Sequence, residues 1–182
     1  MWIKRIFIFT VLVLFAGRLS IAQPPEWDIR GARQVVQELR TLSRQDQQGI
    51  AQRLGEKPTD LRAMRIETPS SHLFLVQGVG TPFNCSPTGN CGFWILSSGY
   101  RVLRETIAQT AKVQWSAHDG LPDVITAMHG SAFESDLTRW QFNGKLYLRS
   151  GCAAATFGDA LGDHATWYDH PHIAPRVCAR VR

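Results

Sequence analysis

The side chains best able to move protons are concentrated between His118 and Asp136. They include His118, Asp119, Asp123, His129, Ser131 and Glu134. Imidazoles beside carboxylates and a serine hydroxyl are the ingredients of acyl transfer: a base takes the hydroxyl proton and a carboxylate orients the base. The spacing argues against a local triad. On a straight strand Asp123 and His129 share a face with Ile125 and Ala127, yet their ends lie about 20 Å apart. Ser131 also lacks the Gly-x-Ser-x-Gly setting of a nucleophile elbow. A simpler reading treats Asp119-Gly120 and Gly130-Ser131 as turn chemistry and His129 as a hydrogen-bonded residue ending a strand. Strand-end loops are where ligands are met, so these six residues are the candidates for binding.

A second cluster lies near the C-terminus: Asp163, His164, Asp169, His170, His172 and Cys178. On an extended segment His170 and His172 would point the same way, as zinc ligands could. Pro171 and Pro175 make the segment irregular, and Cys178 is needed for a disulfide. Cys85 and Cys91 have five residues between them, wider than the usual zinc knuckle. The expectation is therefore no metal and no cofactor. The sequence contains no phosphate-binding glycine loop, dinucleotide fingerprint or His-Glu-x-x-His motif. It has no Lys/Arg run to neutralise successive phosphates, so no nucleic-acid partner is expected.

The ends and the cysteines set the compartment. Lys4 and Arg5 precede an apolar run from Ile6 to Ala16, broken by Thr10, and Ser20-Ile21-Ala22 offers small residues for cleavage before Gln23. This reads as a signal peptide over residues 1–22. The run is roughly half the length of a membrane span, so no stable span is expected after cleavage. Of the 20 basic residues, Lys4, Arg5 and Arg18 belong to this leader, leaving 17 against 15 acids. The basicity of the whole chain is thus partly a targeting feature. About 160 residues remain, enough for one domain with a core. All four cysteines lie in that part, and an even count in an exported chain implies disulfides. Of three pairings, Cys85 with Cys91 and Cys152 with Cys178 need least organisation. Loop entropy gives them roughly 2 and 3.5 kcal/mol. Oxidised, they leave no thiol nucleophile.

These features need elements to position them. Residues 23–60 read as a Pro-Pro linker and two short helices. Asp28 caps the first, whose apolar stripe is Ile29, Ala32, Val35, Val36, Leu39 and Leu42. Ser43 and Asp46 cap the second, which carries Ile50 and Leu54 and stops at Gly55. Both are expected to pack over an open sheet face or edge. Residues 61–182 read as a disulfide-stapled β domain with an irregular C-terminal tail from Gly151. Its expected strands are residues 61–67, 73–79, 92–97, 100–105, an alternating run 107–116 that is wet on its even-numbered side, 123–129, 137–142 and 145–150. Ser86-Pro87-Thr88-Gly89 has the residues of a type I turn between the first two cysteines. Asn143-Gly144 predicts a two-residue type I′ hairpin, with Trp140 and Phe142 on one face of its first arm and Leu146 and Leu148 on one face of its second. Trp94, Trp115 and Trp140 are expected in the core. Trp167-Tyr168, in the tail, would suit a partner surface. The fold class is mainly β with two N-terminal helices, an antiparallel meander forming a barrel or sandwich.

The Cys85-Ser86-Pro87-Thr88-Gly89-Asn90-Cys91 loop with Phe93-Trp94, the Gly120-Leu121-Pro122-Asp123 and His129-Gly130-Ser131-Ala132 segments, and the Phe142-Asn143-Gly144-Lys145-Leu146-Tyr147 hairpin resemble a group of small exported bacterial proteins of uncharacterised function. The resemblance covers roughly residues 73–152 and implies a cell-envelope or secreted setting. The leading functional expectation is a secreted or periplasmic, non-catalytic binding or inhibitor-type domain for an envelope or extracellular protein or polymer. The alternative is a hydrolase of an envelope polymer acting through the His118–Glu134 segment.

Overall fold

The computed structural model describes Trp27, Ile29 and residues 39–80, 85–87, 89–115, 120–131, 134–156 and 172–178. The leader, most of the first expected helix, His118, Asp119, Trp167-Tyr168, and Asp163, His164, Asp169 and His170 lie outside the described residues.

Helix α1 (Arg44–Leu54) forms where its capping residues direct it. The Ser43 hydroxyl accepts from the Asp46 amide at 3.1 Å and donates to the Asp46 carboxylate at 2.8 Å, satisfying one of the free amides of the first turn. Gly55 stops the helix in the left-handed conformation at φ 72°, which costs glycine nothing. Upstream, Leu39–Thr41 form a 3-10 turn, so the end of the first expected helix is tighter than an α-helix.

Nine strands follow among the described residues. β1 (Leu61–Glu67), β2 (His72–Gly78), β3 (Cys91–Ser97) and β4 (Val102–Ala108) make one sheet in chain order. β5 (Thr110–Gln114), β6 (Asp123–Ser131), β7 (Glu134–Phe142), β8 (Tyr147–Thr156) and β9 (His172–Arg176) make the other. Every ladder is antiparallel. The fold is mainly β, and neither sheet closes into a barrel among the described residues.

The two sheets share a core. Leu73, Leu75, Phe93 and Ile95 of the first meet Val124, Trp140 and Tyr147 of the second. The alternate residues Phe74, Val76, Trp94 and Leu96 face outward beneath Leu39, Ile50 and Ala51. On the outer face of the second sheet Ile29 joins Ile125, Leu137 and Ala153, with Trp27 packed against them. β2 and β3 are thus buried on both faces, which is why their sequences are nearly continuous apolar runs. α1 packs over the first sheet as expected of a cover.

Three sequence expectations are corrected. The run 107–116 is not one strand. At Gln109, whose amide donates to Ala127 O at 2.8 Å, the chain leaves one sheet and enters the other. That change resets which alternate residue points inward. Ala108, Thr110 and Ala111 are buried, while Ile107 and Trp115 are 57% and 59% exposed. The tail is not wholly irregular either: β8 runs through Ala153-Ala154-Ala155, and β9 pairs with it. Small residues give no periodic signal, yet here they let a neighbour approach, since a Cβ on Gly151 would lie 3.2 Å from the Trp27 ring. Finally, β7 and β8 pair as far as Phe142 and Tyr147, so the hairpin loop has four residues, Asn143 to Leu146. Gly144 has positive φ and Asn143 does not, which excludes type I′. The Asn143 carboxamide oxygen instead accepts from the amides of Lys145 and Leu146. Tyr147 takes the inward place, leaving Leu146 and Leu148 exposed.

Candidate functional site

Both expected disulfides are present, Cys85–Cys91 and Cys152–Cys178. The first closes a loop at one end of the molecule. Within it the Gly89 amide donates to Ser86 O at 2.9 Å, the bond of the expected turn, and the Ser86 amide donates to Asn90 O at 2.7 Å. Asn90 then fastens the loop to the opposite sheet. Its Nδ2 donates to His129 O at 3.0 Å and its Oδ1 accepts from the His129 amide at 2.8 Å. The clamp falls where the β6–β7 register shifts between His129 and Ser131. The β5–β6 ladder ends at Thr110 opposite Ala127, so the His129 amide and carbonyl lie past its end, and the Asn90 carboxamide partners them instead. Nearby, Gln77 Nε2 donates to the carbonyls of Ala108 and Gln109, fixing the crossover between sheets.

Beside this loop, on the outer face of the first sheet, lies a groove of about 730 Å³. Gly92 and Trp94 line it from β3, Glu105 and Ile107 from β4, and Arg53 and Glu56 from the end of α1. A Cβ on Gly92 would come within 2.7 Å of the Trp94 ring, so only glycine lets the indole lie there. The register pairs Trp94 with Glu105 and Gly92 with Ile107, bringing an aromatic, a carboxylate and an aliphatic side chain to one face. Neither the Glu56 nor the Glu105 carboxylate has a hydrogen-bond or ion-pair partner among the described residues.

The sequence candidates are distributed differently. Asp123 is 1% exposed. Its Oδ2 accepts from Gln141 Nε2 at 3.1 Å and lies 3.8 Å from Arg139 Nε. Arg139, 5% exposed, donates through Nη2 to Gln114 Oε1 at 2.7 Å, and its guanidinium carbon is 5.3 Å from the Trp27 ring centre. Burial holds the Arg139 guanidinium below its ordinary pKa, partly opposed by the Asp123 charge. Burial, aided by the same charge, pushes the Tyr147 phenol up; its hydroxyl donates to Pro122 O at 2.8 Å. Asp123 is therefore part of a sealed structural pair.

His129, Ser131 and Glu134 sit at the open end of the β6–β7 hairpin, with Ser131 opposite Glu134. The buried Ile125 and Ala127 lie between Asp123 and His129 along β6, so Asp123 does not join the other three. Of the second cluster, His172 is exposed on β9 and Cys178 is bonded to Cys152. No group of three His, Cys, Asp or Glu among the described residues could hold a metal ion.

Sequence reasoning passed over the groove because Glu105 and Ile107 look like ordinary strand residues until the β3–β4 register is known. One signal was present: a glycine inside a strand, two residues before a tryptophan, marks a close approach. Compared with known proteins, the chain matches no family model, no curated protein and no solved structure.

Proposed function

We propose that this chain is an exported binding domain, secreted or periplasmic, whose two sheets form a sandwich and which engages an envelope or extracellular partner without catalysing a reaction. The observation that carries this reading is the groove beside the Cys85–Cys91 loop. Its walls are held by a disulfide, the Asn90 clamp and a capped helix, so little freedom is lost when it is filled. Among the described proton-moving groups, Asp123 is buried against Arg139 and Gln141, apart from His129, Ser131 and Glu134 at the open end of the β6–β7 hairpin. Two disulfides fit an oxidising compartment, and among the described residues no helix is long and apolar enough to cross a membrane.

The test is capture from envelope extract on the immobilised, oxidised protein, comparing wild type with Glu105→Lys. A species retained by the first and lost by the second, with unchanged thermal unfolding, is the expected result. Turnover of a peptidoglycan, ester or peptide substrate that His129→Ala or Glu134→Ala abolishes would overturn the reading in favour of a hydrolase.

A further inference from the structure

β4 is the outer strand of its sheet, and among the described residues its one ladder partner is β3. An outer strand offers amides and carbonyls to any extended chain of suitable side-chain pattern. Here the neighbouring face is also recessed, because the groove begins at Glu105 and Ile107. A chain laid along β4 would drop alternate side chains into that recess. Arg104 points to the opposite side, where its guanidinium stacks 4.5 Å from the Trp140 ring and donates to Tyr147 O. An inward charge of this kind guards an edge against indiscriminate pairing, so the groove is left to choose the partner.

The groove's chemistry sets that choice. Glu56 and Glu105 are carboxylates without partners among the described residues, and Arg53 is the one cation among the lining side chains. Ile107, more than half exposed, supplies an apolar contact next to the Trp94 indole. We infer that the groove is a docking site for an extended, lysine- or arginine-bearing segment of a partner protein, added to the free edge of β4. Its cationic side chain lies against Glu56 and Glu105, and the next residue on the same face lies over Ile107. This rests on the binding reading above and adds the class of ligand to it.

The probe is an acetylated, amidated hexapeptide alternating lysine and valine, titrated calorimetrically into the oxidised protein at low salt. The expected result is binding that weakens about tenfold in the Glu56→Gln/Glu105→Gln double variant. It weakens by a similar factor for the peptide in which glutamate replaces lysine. Glu67→Gln, on the far edge strand β1, leaves it unchanged. No binding, equal binding of both peptides, or spermine binding as tightly as the lysine peptide would each overturn the inference. So would a dimer in light scattering that Ile107→Lys dissolves, since a second copy would then occupy the edge. If the peptide fails while extract capture is still lost in Glu105→Lys, the ligand class is wrong and the binding reading stands. If capture is insensitive as well, both fall.

Discussion

Among the described residues the two sheets bury one carboxylate each against their outer faces, and they do so by different means. On the first, Asp46 accepts from the Tyr100 hydroxyl at 3.0 Å and from Ser43 at 2.8 Å, with Arg65 Nη1 at 3.9 Å. It sits in the first turn of α1, where helix amides favour negative charge. On the second, Asp123 faces Arg139 beneath Trp27. The first cover is a helix that ends at Gly55, so the sheet beyond it lies open as the groove. On the second sheet, the Trp27 ring lies over the guanidinium that faces Asp123. A carboxylate is available for recognition where the cover stops short, as at Glu105, and is committed to structure where the cover is complete, as at Asp123.

Truncation separates these three carboxylates by size of effect. Asp123→Ala removes the carboxylate that faces the buried Arg139 guanidinium, and is expected to cost about 3–5 kcal/mol in urea unfolding. Asp46→Ala strands hydroxyls and a cap, which can partly turn to water, for about 1–3 kcal/mol. Glu105→Gln should stay within about 0.5 kcal/mol, since nothing rests on it. An Asp123→Ala protein as stable as Glu105→Gln would break the contrast between a sealed pair and an open acid.

That contrast also explains what could be read from residues alone. Helix α1, its caps and β1 were legible because Ser43, Asp46 and Gly55 act locally, and because Leu61 and Ala63 alternate with partly exposed neighbours. The cysteine pairing was legible from sequence proximity. Asp123 stood out by type, but its partner Arg139 lies on the next strand and its cover, Trp27, nearly a hundred residues away in sequence. The groove was invisible for the same reason. Glu56, Glu105 and Trp94 come together only through the docking of α1 and the register of β4 on β3. The break at Gln109 was missed because an apolar-polar alternation runs through it in sequence while the chain changes sheets.

The two disulfides sharpen the comparison at the next scale. Cys152–Cys178 spans a sequence separation of 26 and ties the segment after β9 to β8, whereas Cys85–Cys91 spans 6 within one loop. Loop entropy predicts that paired serine substitution costs about 3.5 kcal/mol at the first and about 2 kcal/mol at the second. The functional consequence runs the other way. Removing the shorter bridge frees a groove wall, so it should weaken capture of the partner, while removing the longer one should leave capture intact at temperatures where the protein stays folded. Equal loss of capture from both would mean that the loop is not a wall of the binding site.

Two glycines lie at the contacts made by the two covers. A Cβ on Gly49 in α1 would lie 2.3 Å from the Tyr100 ring, and one on Gly151 would lie 3.2 Å from the Trp27 ring. Alanine in a helix interior gains about 1 kcal/mol over glycine, so the sign at Gly49 depends on whether Tyr100 can move. Tyr100 is held at φ 59° with its hydroxyl on Asp46 and its ring stacked 5.8 Å from Phe74. The clash therefore wins, and Gly49→Ala should lose about 1–2 kcal/mol net by thermal unfolding. Gly151→Ala asks Trp27 to yield only a few tenths of an ångström, so its loss should be smaller. Placing Gly49→Ala in a Tyr100→Asn background tests the cause directly. Asparagine accepts the left-handed conformation and removes the ring, so the same alanine should then stabilise by about 1 kcal/mol. If the alanine still destabilises there, the tyrosine is not what holds the helix at its distance from the first sheet.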